Sequence, residues 1–384
     1  MKVTRLFKAF FESEKAGGLV LLICTVVSLV LANSSFSESY LSLWHYQIGK
    51  HSAEHWINDG LMAIFFLLIG LELEREVYIG ELSKIKDAVL PLSGALGGML
   101  IPALIYFLFN FGTETQSGIG IPMATDIAFA IGILSLLGNR VPVSLKIFLT
   151  ALAVIDDLGA ILLIAIFYTK TLYFTNLFIS MAIFGVLLIM NRMKVTNLLL
   201  YLIGGVFMWY FMLHSGVHAT ITGVLLAFAI PFQNGKPNTI SYQLQHWLHN
   251  PVAFIIIPLF ALSNTAIVIG SNWTNNFTQP YSLGIIFGLG LGKPIGILIF
   301  CFLAVKLKLT SLPDDMNWNS LLGIGFLGGI GFTMSIFITL IAFEDKDLIN
   351  NAKFMILVAS LVSGIIGFIW LKKSINNKGK TLPE

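Results

Sequence analysis

The sequence predicts an all-α polytopic membrane protein of about twelve transmembrane helices, and three observations carry that reading. The 384 residues are 56% hydrophobic and only 11% charged, with a mean hydropathy of +0.85. Soluble domains carry about 25% charged residues, so this chain has too little polar surface to cover a globule in water. Its apolar residues gather in runs close to the roughly 20 that a spanning helix needs. Lysine and arginine, finally, fall unevenly between alternate connections: eighteen on one side, four on the other, with Lys293 inside a run.

Taken in order, spans are expected near 17–34, 57–72, 88–111, 119–137, 143–167, 172–190, 198–213, 217–231, 251–270, 283–303, 321–343 and 352–371. The second, seventh and eighth are short. Basic residues cluster before the first run (Lys2, Arg5, Lys8, Lys15), after the second (Arg75, Lys84, Lys86) and after the last (Lys372, Lys373, Lys378, Lys380). The minority side holds Lys50, Lys170, Lys346 and Lys353. Because cytoplasmic loops carry the excess of positive charge, both termini are expected in the cytoplasm, which requires an even number of helices. The chain then reads as one multi-pass domain over 1–384, with a cytoplasmic segment at 1–16 and a cytoplasmic tail at 372–384. Residues 1–34 share the basic start and apolar run of a signal peptide, but the first helix of a multispan protein can itself start insertion.

Several function classes drop out. Cys24 and Cys301 both lie in apolar runs, which argues against a disulfide framework or a thiolate metal site. No dinucleotide or phosphate-loop fingerprint is present; the glycine-rich GIGFLGGIGF at 323–332 lacks the lysine such a loop needs. The net charge of +3 is small, and neither a cofactor nor a nucleic-acid partner is expected.

The informative residues are charges at membrane depth. Asp156 and Asp157 stand mid-run in ALAVIDDLGAI, Lys293 stands inside the tenth run, and Asp126 follows Thr125 in the fourth. Each ionised side chain at a helix centre costs about 2.5–3.5 kcal/mol on insertion scales. Left unpaired, the four would cost about 10–14 kcal/mol, comparable to the whole stability of an ordinary domain. They must pair, lose charge, or line a wet cavity. Helical neighbours point about 100° apart, so Asp156 and Asp157 cannot share one partner in the same geometry: one can turn to a lysine while the other faces a cavity. A buried ion pair that merely docks helices would occupy one lysine and one aspartate and leave two acids unexplained.

Backbone signals point the same way. The fourth run contains Pro122 in GIGIPMATD, and the eleventh contains Gly323, Gly325, Gly328, Gly329 and Gly331. Proline removes a helical donor and clustered glycines weaken a helix. Broken helices are tolerated at membrane depth only where protein or water covers the freed backbone. Interrupted segments in corresponding places of two halves point to a transport site. Helices 3–5 and 10–12 each carry one and would enter from opposite sides, as an inverted repeat. Half-helix ends carry about half a unit of charge, positive at N-termini and negative at C-termini. Asp126 could offset the positive ends, and Lys293 the negative ones.

Such a site suits a small hard cation, which takes oxygen ligands: carboxylates, the Thr125 hydroxyl and freed carbonyls. Loss of water disfavours the charged form of a carboxyl group, so a proton and a metal ion would compete for the same oxygens. That competition is the simplest form of antiport. With no ATP site in the sequence, a proton gradient is the expected energy source.

Seven stretches in order, INDGLMAIFFLLIGLE at 57–72, MATDIAFAIGILSLLG at 123–138, LTALAVIDDLGAI at 149–161, HSGVHATITGV at 214–224, PLFALSNTA at 258–266, LGKPIG at 291–296 and GIGFTMSIFI at 329–338, resemble the NhaA family of sodium/proton antiporters over nearly the full length. The resemblance implies a bacterial inner-membrane, secondary active transporter with crossed, broken fourth and eleventh helices. It implies electrogenic export of cytoplasmic Na+ or Li+ against external H+, in the service of pH and sodium homeostasis. By position, Asp156 and Asp157 would bind the ion and the proton, with Thr125 nearby; Lys293 would pair with Asp156; Asp126 would balance the helix ends; Asp59 would be a supporting charge. A homodimer is implied, formed through the external loop near 38–52.

The family's pH response belongs to the cytoplasmic ends of the second and ninth helices. Glu72, Arg75 and Glu76 match that pattern, while Glu74 stands where a basic residue is common and Gln245 where a glutamate is expected. These departures bear on the pH at which activity begins, not on the site chemistry. His218, His246 and His249 are candidate sensors because histidine titrates near neutrality. Two other classes compete. An intramembrane aspartyl protease would take its acids from different helices, one in a Gly-x-Gly-Asp pattern that is absent here. A proton-coupled carrier of an organic solute would work without sodium.

Overall fold

The computed structural model describes residues 5–168, 172–270 and 273–378. Lys2, Lys170, Lys380 and the ends of the two terminal segments therefore lie outside the described residues. All twelve apolar runs contain helix. Arg5–Ala32 (α1) is one helix, so most of the segment 1–16 continues the first span instead of standing apart. The expected external loop is itself structured: Ser37–His45 (α2) leads into a short antiparallel hairpin, Gln47–Ile48 (β1) with His51–Ser52 (β2). The second span begins at Ala53–His55 (α3), passes a π-helical stretch at Trp56–Leu61, and continues as Met62–Tyr78 (α4). Ile85–Asn110 (α5) is the third.

The fourth span is a 3₁₀ helix, Glu114–Met123, then three non-helical residues, then Ile127–Ser135 (α6), bent by 41°. Val143–Phe167 (α7), Phe174–Arg192 (α8) and Leu198–Leu213 (α9) follow. The eighth run forms only Ile221–Ala229 (α10). Its expected first turn is taken up by a bend in which Gly216 has φ +85°, and it stops short of Pro231, as helices do before proline.

The ninth span starts eleven residues earlier than expected. Ile240–Pro251 (α11) runs through a π-helical stretch at Val252–Ile256 into Ile257–Asn264 (α12). Proline brings no N–H to the helix and crowds the carbonyl four residues before it, yet the helix runs through Pro251 and turns π-helical just beyond it. The tenth is Pro280–Phe287 (α13), a π stretch at Gly288–Gly292, and Lys293–Lys306 (α14). The eleventh is Trp318–Gly328 (α15) and Phe332–Ala342 (α16), bent by 45°. Lys346–Lys378 (α17) closes the described chain.

By length and composition, eight helices among the described residues can cross a membrane, or ten counting each bent pair as one span. The count falls short of twelve because α9 and α10 are too short to pass the same test. At about 1.5 Å per residue α10 spans only about 14 Å. Burial sorts the bundle. In α7, 72% of the apolar stretch is inside the protein, against 11% in α8, which presents Phe178, Val186 and Ile189 outward. Close crossings rest on glycine. A Cβ added to Gly296 would lie 2.1 Å from the carbonyl oxygen of Gly97, and one at Gly325 would lie 2.8 Å from Pro294 Cα. These contacts press α14 against α5 and α15.

Candidate functional site

The two breaks meet. The Asp126 amide donates to the carbonyl of Ile330 at 2.7 Å, and the Thr125 hydroxyl lies 2.8 Å from the carbonyl of Gly328, the last residue of α15. The freed backbone of one interrupted helix is thus satisfied by the other, as a dry interior requires.

Asp126 holds two helix starts at once. Its Oδ1 accepts the Phe129 amide at 2.9 Å, capping α6. Its Oδ2 accepts the Thr333 amide at 3.0 Å and the Thr333 hydroxyl at 2.5 Å, at the first turn of α16. A carboxylate between two positive helix ends is electrostatically matched. Lys293 meets the crossing through two side chains. Its ammonium donates to Thr125 Oγ1 at 2.8 Å and forms an ion pair with Asp156 Oδ2. Thr125 Oγ1 also lies 2.8 Å from Asp156 Oδ2, and its single proton can serve only Asp156 or Gly328 at a time.

Thr125, Asp126, Asp156, Asp157 and Lys293 are all buried. Adjacency on α7 separates the two acids: Asp156 faces Lys293, while neither oxygen of Asp157 has a hydrogen-bond partner. Asp156 Oδ1 has none either. Three unpartnered carboxylate oxygens in a dry interior are costly and need compensation. Among the described residues no three His, Cys, Asp or Glu side chains converge as a metal cage. The donor set is two carboxylates and a hydroxyl, oxygens that suit a hard cation and not a soft one. On the basic side a cavity of about 1060 Å³, lined by Lys86, Asp87, Lys308 and Asp315, reaches Phe148 and Ala151 of α7. Ala151 is five residues from Asp156, roughly 7–8 Å along the helix.

The remaining candidates lie elsewhere. Asp59 sits in the π stretch at Trp56–Leu61, where Oδ2 is 3.1 Å from His55 Nδ1; no hydrogen bond or ion pair joins it to the Asp156 group. The six residues assigned to pH response do not form one cluster. Glu72 is buried 3.9 Å from His249 Nδ1, and Arg75 pairs with Glu76 at 2.9 Å near the basic loops. His246 is exposed and stacks on Tyr242. His218 is at the other end of the bundle, where Nε2 lies 3.3 Å from the Tyr168 carbonyl. Extending helix nine back to Ile240 explains the split: residues three apart on one helix, as 246 and 249 are, still differ by about 60° in direction.

Sequence reasoning missed Thr333, which shares Asp126, and Ser360, whose hydroxyl lies 3.2 Å from the Phe332 amide at the second break. A hydroxyl residue just after a glycine break was the available signal for Thr333, since such residues favour helix starts. It also missed the π stretches that precede Lys293 and contain Asp59, a feature frequent at functional sites.

The chain and its fold have counterparts. The solved structure of the sodium proton antiporter MjNhaP1 from Methanocaldococcus jannaschii matches with a TM-score of 0.55 and 15% identity, over 96% of this chain and 97% of that one, a likeness of fold. The Na(+)/H(+) antiporter NhaA of Flavobacterium psychrophilum is 68% identical over 98% of both chains. That of Cytophaga hutchinsonii is 60% identical over 98% of this chain and 97% of its own. The model of the family described as Na+/H+ antiporter 1 matches residues 8–371. The chain belongs to that family of transporters.

Proposed function

We propose that the chain exports cytoplasmic Na+ or Li+ across a bacterial inner membrane in electrogenic exchange for external H+, with Asp157 and Asp156 as the groups that hold cation and proton alternately. The observation that carries this reading is the unpartnered carboxylate of Asp157 beside the Asp156–Lys293 pair. A cation arriving from the basic side loses water and needs oxygens in its place; Asp157 offers two and Asp156 Oδ1 a third. Its charge displaces the proton of Asp157 and competes with Lys293 for Asp156, so that Lys293 gives up a proton as well. Two protons leave for one cation, and the exchange carries net charge. Asp126 and Thr125 hold the crossing in shape and take no part in proton transfer.

The helices of the two triplets, 3–5 and 10–12, form an inverted repeat in this reading. The Lys and Arg bias places both termini in the cytoplasm. The segment from Ser37 to Ser52, which exposes Leu43, Tyr46 and Ile48, is the contact of a homodimer. Glu72, Arg75, Glu76 and His249 set the pH response and the cell's pH and sodium homeostasis depends on it. The test is dequenching of a pH-gradient dye in everted vesicles, with Na+, Li+ and K+ added across a pH series. Wild type should respond to Na+ and Li+ and not to K+. Asp157→Asn should insert normally and lose the response; wild-type exchange in that variant ends the assignment.

A further inference from the structure

A second buried lysine lies outside the crossing and has no part in the exchange just described. Lys353 of α17 is only 4% exposed. Its ammonium donates to Asn264 Oδ1 at 3.1 Å, and Glu54 Oε1 lies 4.0 Å away. Asn264, the last residue of α12, passes the connection on: its Nδ2 is 2.8 Å from Asn58 Oδ1 in the π stretch of the second span. Glu54 and Asn58 are four residues apart and share a helix face.

The membership of this cluster matters. Lys353 belongs to a helix of the two site-bearing triplets, while Asn264, Asn58 and Glu54 all belong to helices outside them. The cluster also lies at the end of the bundle remote from the basic loops, since α17 begins there, the second span begins there and the ninth ends there. Two turns along α17, Ser360 accepts the Phe332 amide at the second break. One helix therefore joins the remote cluster to the crossing. A dry interface between two bodies is held most simply by apolar packing; a buried ammonium with amide and carboxylate partners costs desolvation and is suited to a contact that must open and close again.

We infer that Lys353 is a positioning residue for the alternating step of exchange: with Asn264, Asn58 and Glu54 it bolts the site-bearing triplets to the rest of the bundle while the site faces the basic side, and the bolt opens when the site turns to the other face. This inference rests on the antiport reading above. When one state dominates, the apparent affinity seen from the other face is reduced by the small fraction that is open to it. Weakening the bolt enlarges that fraction and leaves the dominant one nearly unchanged. Losing a hydrogen bond from a charged group is enough for about a tenfold change.

The experiment compares half-saturating Na+ from each face, using everted and right-side-out vesicles of wild type, Lys353→Met and Asn58→Ala. Lys353→Met is expected to lower the value on the external face about tenfold with little change on the cytoplasmic face. Asn58→Ala, which leaves Lys353 its bond to Asn264, should move it in the same direction by less. It carries the test alone should Lys353→Met fail to insert. Unchanged values on both faces, or equal shifts on both, overturn the bolt. Wild-type vesicles that exchange nothing would instead sink the antiport reading, so the two failures are distinguishable.

Discussion

Replacing Asp126 tests whether one carboxylate really holds both half-helices. In Asp126→Asn, a single oxygen remains for two backbone amides, those of Phe129 at 2.9 Å and Thr333 at 3.0 Å. The asparagine NH₂ would point at whichever amide it leaves. Stranding one buried N–H costs about 1–3 kcal/mol, and removing the charge from two helix starts adds about 0.3–1 kcal/mol for each. The expected loss is therefore about 2–5 kcal/mol, and Asp126→Ala, which strands both amides, should cost more. Thr333→Val removes only the hydroxyl contact, a bond to a charged group worth about 1.5–3 kcal/mol. In the Asp126→Ala background that same change should cost almost nothing, because its partner is gone. Equilibrium unfolding of the purified protein in detergent, run as a double-mutant cycle, reads this coupling. Additive effects, or an Asp126→Asn variant as stable as wild type, would refute the account of the crossing.

Four further outcomes follow from the structure. Lys293→Met should destabilise by about 3–5 kcal/mol because it leaves Asp156 charged and buried; Asp156→Asn added to it should restore part of the loss in the same unfolding assay. Gly296→Ala should cost about 1–3 kcal/mol by overpacking, since its new carbon would meet the Gly97 carbonyl at 2.1 Å. Gly185→Ala in α8, with nothing within 4 Å, should be neutral or slightly stabilising. Glu81 lies in the connection after the second span, where burial, reinforced by the charges of Glu76 and Asp87, raises its carboxyl above the ordinary range. The folded state then binds this proton more tightly than the unfolded one, so stability falls as pH rises through that window. Glu81→Gln should flatten this slope in unfolding curves recorded from acid to neutral pH.

The membrane class, the helical runs and the family were readable from residue order alone, because they depend on quantities that add up locally. Length times rise decides whether a run can span, and an uncompensated charge at depth is costly whatever surrounds it. That is why Asp126, Asp156, Asp157 and Lys293 stood out, and why Pro122 and the glycines of the eleventh run marked breaks at 124–126 and 329–331. Local reasoning failed where packing overrode a local signal. Pro251 reads as a helix start, yet α11, the π stretch after it and α12 form one span. His246 and His249 read alike as candidate sensors, and only the packed helix leaves His246 exposed and His249 near Glu72.

What residue order determined, then, is the solvent, where the apolar runs lie and which side chains cannot be left alone. Which partner each of them found was decided only by the packed bundle. Asp126 meets Thr333 across 207 positions of chain, and Lys293 meets Asp156 across 137. No local preference chooses such a pairing. It follows from two broken helices having to satisfy each other's backbone in a place without water, and that condition exists only once the helices have crossed.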